Sequence, residues 1–333
     1  MAQQQQQQIV LYATGAPEVM RLEQQATETQ APGPGQVWLT QAAIGVNPLD
    51  VSQRKGAVRI ALPSGLGLEG AGTVAAIGAD VGNVAVGDRV AYATGPLGAY
   101  ASARLFPADR LVKLPDALAF DEAAAVLFKG ITAQYLLKTT YAVGPGTRIV
   151  VYGAAGGLGQ IMAAWARHLG AFVIGVVSKA ESLERARAAG CHAVFVFDPA
   201  TLAGQVKQAT EGLGADVVYD PIGRVSLEAS LDSLRPRGLL VSFGALSGAP
   251  APIEMGTLNA KGSLFVTRPS LAAHTATAAE YQERARDVLD ALAAGIIRAQ
   301  VWRRYPLAEA AAAHADLEEG RSQGAIVLVP GSV

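Results

Sequence analysis

The chain has 333 residues, half of them hydrophobic and 17% charged, which is enough for a sizeable core, excludes a disordered polymer and suggests two domains. Lysine and arginine total 27 against 28 aspartates and glutamates, a net charge of -1, so no global field draws nucleic acid or an anionic membrane. A single cysteine, Cys191, excludes an intrachain disulfide and a thiolate metal cage.

Residues 3–8 are all glutamine, and this low-complexity run predicts a frayed tail over 1–8 before a first strand at 9–12. Up to about residue 119 the chain reads as short strands, with 37–44, 72–77 and 89–93 as examples. Pro32-Gly33-Pro34-Gly35 and Gly87-Asp88 punctuate them as turns. At Asp121 the texture changes. This aspartate can cap a helix whose apolar face carries Ala123, Ala124, Val126, Leu127, Ile131, Tyr135 and Leu136.

From Thr147 strands and helices alternate. Strands are predicted at 148–152, 172–177, 193–197, 216–219 and 239–243, with helices at 158–169, 182–189, 202–210 and 227–234 between them. Near-continuous apolar strands alternating with helices predict a parallel sheet covered on both faces. A strand at 262–266 follows, then helices at 278–294 and 308–318 and a strand at 326–329. A regular block between an irregular first part and a short tail predicts a nucleotide-binding domain inserted into a second domain built from both ends.

The stretch Tyr152-Gly153-Ala154-Ala155-Gly156-Gly157-Leu158-Gly159 follows a strand and opens a helix. It reads as a dinucleotide fingerprint, Ala154-x-Gly156-x-x-Gly159, with alanine in the first glycine place. Small residues allow the tight turn and close approach of backbone to a pyrophosphate, and the helix N-terminus offers free N–H groups. An ordinary glycine-rich turn is the alternative, but the strand before, the helix after and the further βα units favour a cofactor. A carboxylate closing the next strand would mark NAD. Instead Ser178-Lys179 stands there, a hydroxyl and an ammonium that suit the extra phosphate of NADP, although Lys179 also reads as a solvated helix-start residue.

Other chemistry is absent. The four histidines, His168, His192, His274 and His314, form no cluster with Cys191, so no metal site is expected. His168 and His314 fall late in predicted helices, where a cation favours the dipole. Gly320-Arg321-Ser322-Gln323-Gly324 matches a nucleophile-elbow pattern, but a helix precedes it and a strand follows, the wrong order. There is no Gly-Lys dipeptide and hence no P-loop. No apolar run is long enough to span a bilayer. The first cationic side chain is Arg21, which fits neither a secretory signal nor a transit peptide, so a cytoplasmic location is expected.

Taken in order, several segments resemble the quinone oxidoreductase (ζ-crystallin-like) family of the zinc-independent medium-chain dehydrogenase/reductases. They are Gly15-Ala16-Pro17-Glu18-Val19, Ala43-Ile44-Gly45-Val46-Asn47-Pro48-Leu49-Asp50, 63–72 and Ala85-Val86-Gly87-Asp88-Arg89-Val90. The 154–159 loop, Val241-Ser242-Phe243-Gly244 and Thr267-Arg268-Pro269-Ser270 complete the set. Where zinc-dependent relatives have Gly-His-Glu, this chain has Gly67-Leu68-Glu69.

The resemblance implies an α/β protein, a doubly wound Rossmann parallel sheet inserted into an irregular strand-rich, GroES-like catalytic domain. Boundaries are expected at 9–125 and 267–333 for the catalytic domain and 126–266 for the Rossmann domain. It implies NADPH, in preference to NADH, bound across a cleft and hydride delivery to a quinone or similar conjugated carbonyl. Asn47 through Asp50 would border the nicotinamide, with Lys129 and Thr132 nearby. Ala155, Gly156, Gly157 and Leu158 would meet the pyrophosphate, and Ser242, Phe243, Gly244 and Arg268 would pass beside the nicotinamide ribose. Asn47 and Arg268 would orient the nicotinamide and the developing oxyanion, with Asp50 behind them. Asp50 and Asn47 read equally well as turn chemistry around Pro48.

The chain departs from the family at several places. Ser182 stands where a lysine is common and Phe197 where a tyrosine is common, both at the adenosine end. Ser52 replaces an aromatic, and Arg321 is shifted by one place. A second reading keeps NADPH but reduces an enone or alkenal double bond, with Tyr92 or Tyr135 as proton donor. A third is an NADPH-binding protein with a structural or RNA-binding role, which the near-neutral charge and absent basic stripes disfavour. A homodimer is expected through the sheet edge at 262–266.

Overall fold

The chain folds into two compact units, and a computed structural model describes residues 5–26 and 31–331 of them. One unit comprises 1–129, 277–289 and 299–333; the other comprises 130–276 and 290–298. The chain begins with β1 (Gln5–Leu11), β2 (Met20–Ala26), β3 (Gln36–Val46) and helix α1 (Pro48–Arg54). Next come β4 (Ser64–Gly65), β5 (Glu69–Ile77), β6 (Arg89–Ala93), β7 (Ala103–Pro107) and β8 (Val112–Lys113). Helix α2 (Phe120–Tyr135) leads out of this unit.

The inserted unit then alternates: β9 (Arg148–Tyr152), α3 (Gly157–His168), β10 (Phe172–Val177), α4 (Leu183–Ala188) and β11 (Ala193–Val196). It continues with α5 (Leu202–Ala209), β12 (Ala215–Asp220), α6 (Leu227–Asp232) and β13 (Leu234–Ser242). Helix α7 (Met255–Ala260), β14 (Phe265–Thr267) and α8 (Leu271–His274) close it. The return adds α9 (Ala278–Ala293), β15 (Val301–Pro306), α10 (Ala310–Glu318) and β16 (Ala325–Val329).

In the inserted unit six parallel strands lie in the order β11-β10-β9-β12-β13-β14. The winding direction reverses between β9 and β12, the switch point where open α/β sheets bind ligands. The strands are apolar on both faces because helices cover both. Val150, Ile174, Val176, Val218 and Leu240 are fully or almost fully buried among them. This is the doubly wound Rossmann arrangement.

The other unit is strand-rich and mostly antiparallel, the GroES-like part of the fold. Its larger sheet runs β15-β16-β3-β5-β6-β8, with β7 also on β3 and only the β15–β16 pair parallel, and a small sheet runs β2-β1-β4. Leu39, Ile44, Val90, Tyr92, Phe106 and Leu328 pack its core.

Two local expectations are corrected. The glutamines from Gln5 to Gln8 are strand, not tail, because the Gln7 N–H donates to Ser102 Oγ and the Gln7 carbonyl accepts the Ser102 N–H, and Gln8 and its neighbours pair along β2. Gln3 and Gln4 lie outside the described residues. Asp121 sits inside α2 instead of capping it; Glu122 Oε2 accepts the Ala119 N–H at 3.2 Å, and Asp121 pairs with Arg304. Strands β2 and β15 and helices α1 and α7 had no strong periodic signal. Among the described residues no helix is long and apolar enough to cross a membrane.

Candidate functional site

Strand β3 delivers Asn47 to the start of α1. The residue before a proline is pushed to extended backbone, and Asn47 has φ −130° and ψ 152°. Pro48 then occupies the first helical position, where its missing N–H costs nothing. Three residues on, Asp50 reaches back so that its Oδ2 accepts the Asn47 N–H at 2.8 Å. Asp50 is therefore the turn-capping residue the sequence allowed, and it is fully buried.

The Asn47 side chain is held at both ends. Its Nδ2 donates to Glu69 Oε2 at 2.9 Å, and its Oδ1 accepts from Lys129 Nζ at 2.9 Å. Lys129 Nζ lies 3.7 Å from Glu69 Oε2, while Glu69 Oε1 accepts the Phe128 N–H at 2.7 Å. Burial pushes the Glu69 carboxyl up, against the pull of Lys129 and Asn47. Gly45 makes the arrangement possible. A Cβ there would collide with Glu69 Oε2 and the Ala124 carbonyl, so only glycine lets β3, β5 and α2 meet around one carboxylate.

Behind Asn47 a second chain of groups is buried. Tyr100 OH lies 3.1 Å from Asp50 Oδ2 and 2.9 Å from His314 Nε2, and all three side chains are inaccessible to solvent. Burial raises the Asp50 carboxyl to about 7, partly offset by the Asn47 N–H and Tyr100. Burial, with Arg54 nearby, depresses His314 to about 3. The expected cationic, late-helix role of His314 is thus corrected: it sits mid-helix in α10 and is neutral. His168 does end α3, exposed.

Tyr92 and Tyr135, the candidate proton donors, are both buried. Tyr92 OH donates to Gln41 Oε1 at 2.5 Å and accepts from Arg104, and Tyr135 stacks on His274 with ring centroids 4.3 Å apart. Ser52 Oγ donates to the Pro48 carbonyl at 3.0 Å.

In the inserted unit the glycine turn joins β9 to α3 at the switch point. A Cβ on Gly159 would overlap the Gly153 carbonyl and Ala154 Cα, so the third glycine place is required for helix and strand to pack. Gly156 precedes the helix with extended backbone, and Gly157, Leu158 and Gly159 form its first turn, whose N–H groups have no carbonyl four residues back. Gln160 Nε2 braces the turn by donating to the Ala155 carbonyl at 2.9 Å. Ser178 and Lys179 are exposed just beyond β10, with no carboxylate at that strand's end; Glu181 follows in the next turn. This cradle fits a dinucleotide, and its second strand end fits a phosphate better than a ribose diol.

Ser182 ends a single helical turn at 180–182, and its N–H donates to the Lys179 carbonyl. Phe197 packs edge-on to Tyr152 at 5.7 Å. Arg268 Nη1 lies 3.3 to 3.5 Å from the Gly244 carbonyl and from the carbonyl and Oγ of Ser242, so it folds over 242–244 with Phe243 between. Thr132 is buried on α2.

The structure thus gathers Asn47, Asp50 and Lys129 in one unit, and Arg268 with Ser242 and Gly244 in the other. Arg321 joins neither group, because its guanidinium is taken up by Asp316 and Glu319. Sequence reasoning missed Tyr100 and His314 and gave Glu69 no role. The Gly67-Leu68-Glu69 triplet was the available signal for Glu69; nothing local marked the other two. Among the described residues no group of three or more His, Cys, Asp or Glu side chains could hold a metal ion.

Comparison with known proteins agrees with this architecture. Residues 33–116 match the alcohol dehydrogenase GroES-like domain and residues 157–292 match the model described as zinc-binding dehydrogenase. The chain is 44% identical to a Pseudomonas aeruginosa quinone oxidoreductase over 96% of its own length and 98% of that protein's. It is 42% identical to a Burkholderia 2-haloacrylate reductase over the same shares of the two chains. The solved Escherichia coli quinone oxidoreductase complexed with NADPH is 40% identical, with TM-score 0.92 over 97% of this chain and all of that one. The chain belongs to the quinone oxidoreductase family of medium-chain dehydrogenase/reductases.

Proposed function

We propose that the protein is a metal-free, NADPH-dependent quinone reductase. The observation that carries this reading is the glycine turn at the switch point together with the Ser178-Lys179 strand end. NADPH, when bound, supplies a hydride, and a quinone accepts it readily because the product is aromatic. The first-turn N–H groups of α3 then hold the pyrophosphate, and Ser178 and Lys179 hold the 2′-phosphate. Ser182 and Phe197 flank the adenosine end. Arg268, Ser242 and Gly244 support the nicotinamide ribose. Asn47, fixed by Glu69 and Lys129, keeps one amide hydrogen to orient the reacting carbonyl. Quinone reduction asks for positioning and modest polarity rather than a strong acid, and the two candidate phenols are buried.

The resemblance to a 2-haloacrylate reductase favours a second reading, reduction of a conjugated carbon–carbon double bond with the same cofactor. Parallel assays of NADPH oxidation with 1,4-benzoquinone and with an alkenal separate the two. Faster turnover of the quinone supports the first reading; turnover of the alkenal alone replaces it with the second. NADPH binding with no consumption by either would leave a structural or RNA-binding role. The same reading includes a cytoplasmic location and a homodimer through edge strand β14, where Phe265 and Val266 are exposed. Light scattering after gel filtration should give twice the 34.3 kDa chain mass; the monomer mass would remove that part.

A further inference from the structure

Tyr100 has one hydroxyl proton and two neighbours able to take it, Asp50 Oδ2 and His314 Nε2. When Asp50 is ionised it can only accept, so the Tyr100 proton points to it. His314 must then carry its proton on Nε2 and donate to the Tyr100 oxygen. This tautomer also suits Nδ1, which is buried and has no hydrogen-bond partner among the described residues. A bare ring nitrogen left unpaired is better tolerated than an orphaned N–H. The bonds from His314 to Tyr100 to Asp50 then run one way, from α10 through the 94–102 loop to α1, and two donors, Tyr100 OH and Asn47 N–H, converge on one carboxylate oxygen.

The other oxygen, Asp50 Oδ1, is buried with no hydrogen-bond partner among the described residues. When Asp50 takes up a proton, its pull on both donors weakens, and the Asn47 N–H loses the charge that anchors it. The charged or titratable groups around Asp50 are Glu69 on β5, Lys129 on α2, Tyr100 and His314, with Arg54 of α1 facing Tyr100 and His314. Of these, Glu69 and Lys129 grip the Asn47 side chain, while Asp50 grips its backbone.

We propose that Tyr100 and His314 are positioning residues that act through Asp50, holding Asn47 in register with Glu69 and Lys129 by a one-way hydrogen-bond chain. This rests on the reductase reading for its kinetic arm only. In that arm, Tyr100→Phe should raise the midpoint of the acidic limb of kcat by at least about half a pH unit. It should lower kcat about three- to tenfold, with the KM for NADPH unchanged. His314→Gln, which keeps an N–H at similar reach, should recover more of kcat than His314→Leu.

The second arm needs no turnover: NMR of the full chain carrying ¹⁵N-labelled histidine and asparagine. It should show His314 as the Nε2–H tautomer at alkaline pH. The Asn47 amide should titrate in the wild type, with its midpoint displaced upward in Tyr100→Phe. An Nδ1–H tautomer, or an Asn47 titration identical in wild type and Tyr100→Phe, would overturn the proposal. Wild-type protein that oxidises no NADPH would defeat the reductase reading, and the NMR arm would still decide this one.

Discussion

The glycine turn of the inserted unit and the polar cluster of the GroES-like unit reach their precision by opposite routes. The turn works through backbone. Three small residues, one helix N-terminus and a switch in strand order make the cradle, with the Gln160 side chain as its brace. The cluster works through side chains drawn from elements far apart in the chain: Asn47 from the start of α1, Glu69 from β5, Lys129 from α2, Tyr100 from a loop and His314 from α10. A backbone site tolerates change in what surrounds it, whereas a buried polar network loses most of its value when one member leaves.

The largest effect is expected where the network meets the backbone. Gly45→Ala would force a methyl into the Ala124 carbonyl and into a Glu69 carboxylate held by Asn47 and the Phe128 N–H. Unfolding free energy should fall by about 3 kcal/mol or more, with turnover lost. Denaturant titration checks this, and a loss under about 1 kcal/mol would mean the strands have more room than they show.

Lys129→Met comes next, since it leaves Glu69 buried beside no cation. A cost of about 3–5 kcal/mol is expected, and Glu69→Gln added to it should restore much of that. If the double variant is no better than the single one, the two are not a pair. Asn47→Ala should be milder, lowering kcat about tenfold while NADPH binding stays unchanged. Complete loss with cofactor binding intact would point to an obligatory acid–base step.

The subtlest effect is a pH slope. Asp50, near 7 when folded against 3.8 ordinarily, holds a proton that the unfolded chain releases. Its contribution is therefore present at low pH and lost as pH rises through about 7. His314, near 3 against 6.5, behaves oppositely: the unfolded chain takes up a proton that the folded one refuses, so stability is lost as pH falls from about 6.5 toward 3. Between about pH 4 and 6.5 the two slopes oppose. His314→Gln should unmask stability that falls with rising pH, and Asp50→Asn stability that rises with it. Urea midpoints across that window test this, and parallel slopes in the two variants would contradict it.

These routes also explain what the sequence revealed. The inserted unit was legible almost strand by strand, because apolar runs such as 148–152 and 172–177 alternate with helices and the turn between them has its own signature. In the GroES-like unit β3, β5 and β6 were legible, but β2 and β15 are polar edge segments with no clean alternation. Lys129 and Asn47 came from family resemblance. Tyr100 and His314 could not, since 214 residues separate them and their meeting is a product of tertiary folding alone. The Gln5–Gln8 strand shows the same limit: composition argued for a tail, and pairing with Ser102 and β2 overrode it.

The most direct test of the cofactor assignment is calorimetric titration of the whole chain with NADPH and with NADH. Tighter binding of NADPH is expected, with that advantage abolished in a Ser178→Ala/Lys179→Ala variant that still takes NADH. Equal affinities in the wild type, or an NADPH preference that survives the double substitution, would contradict it.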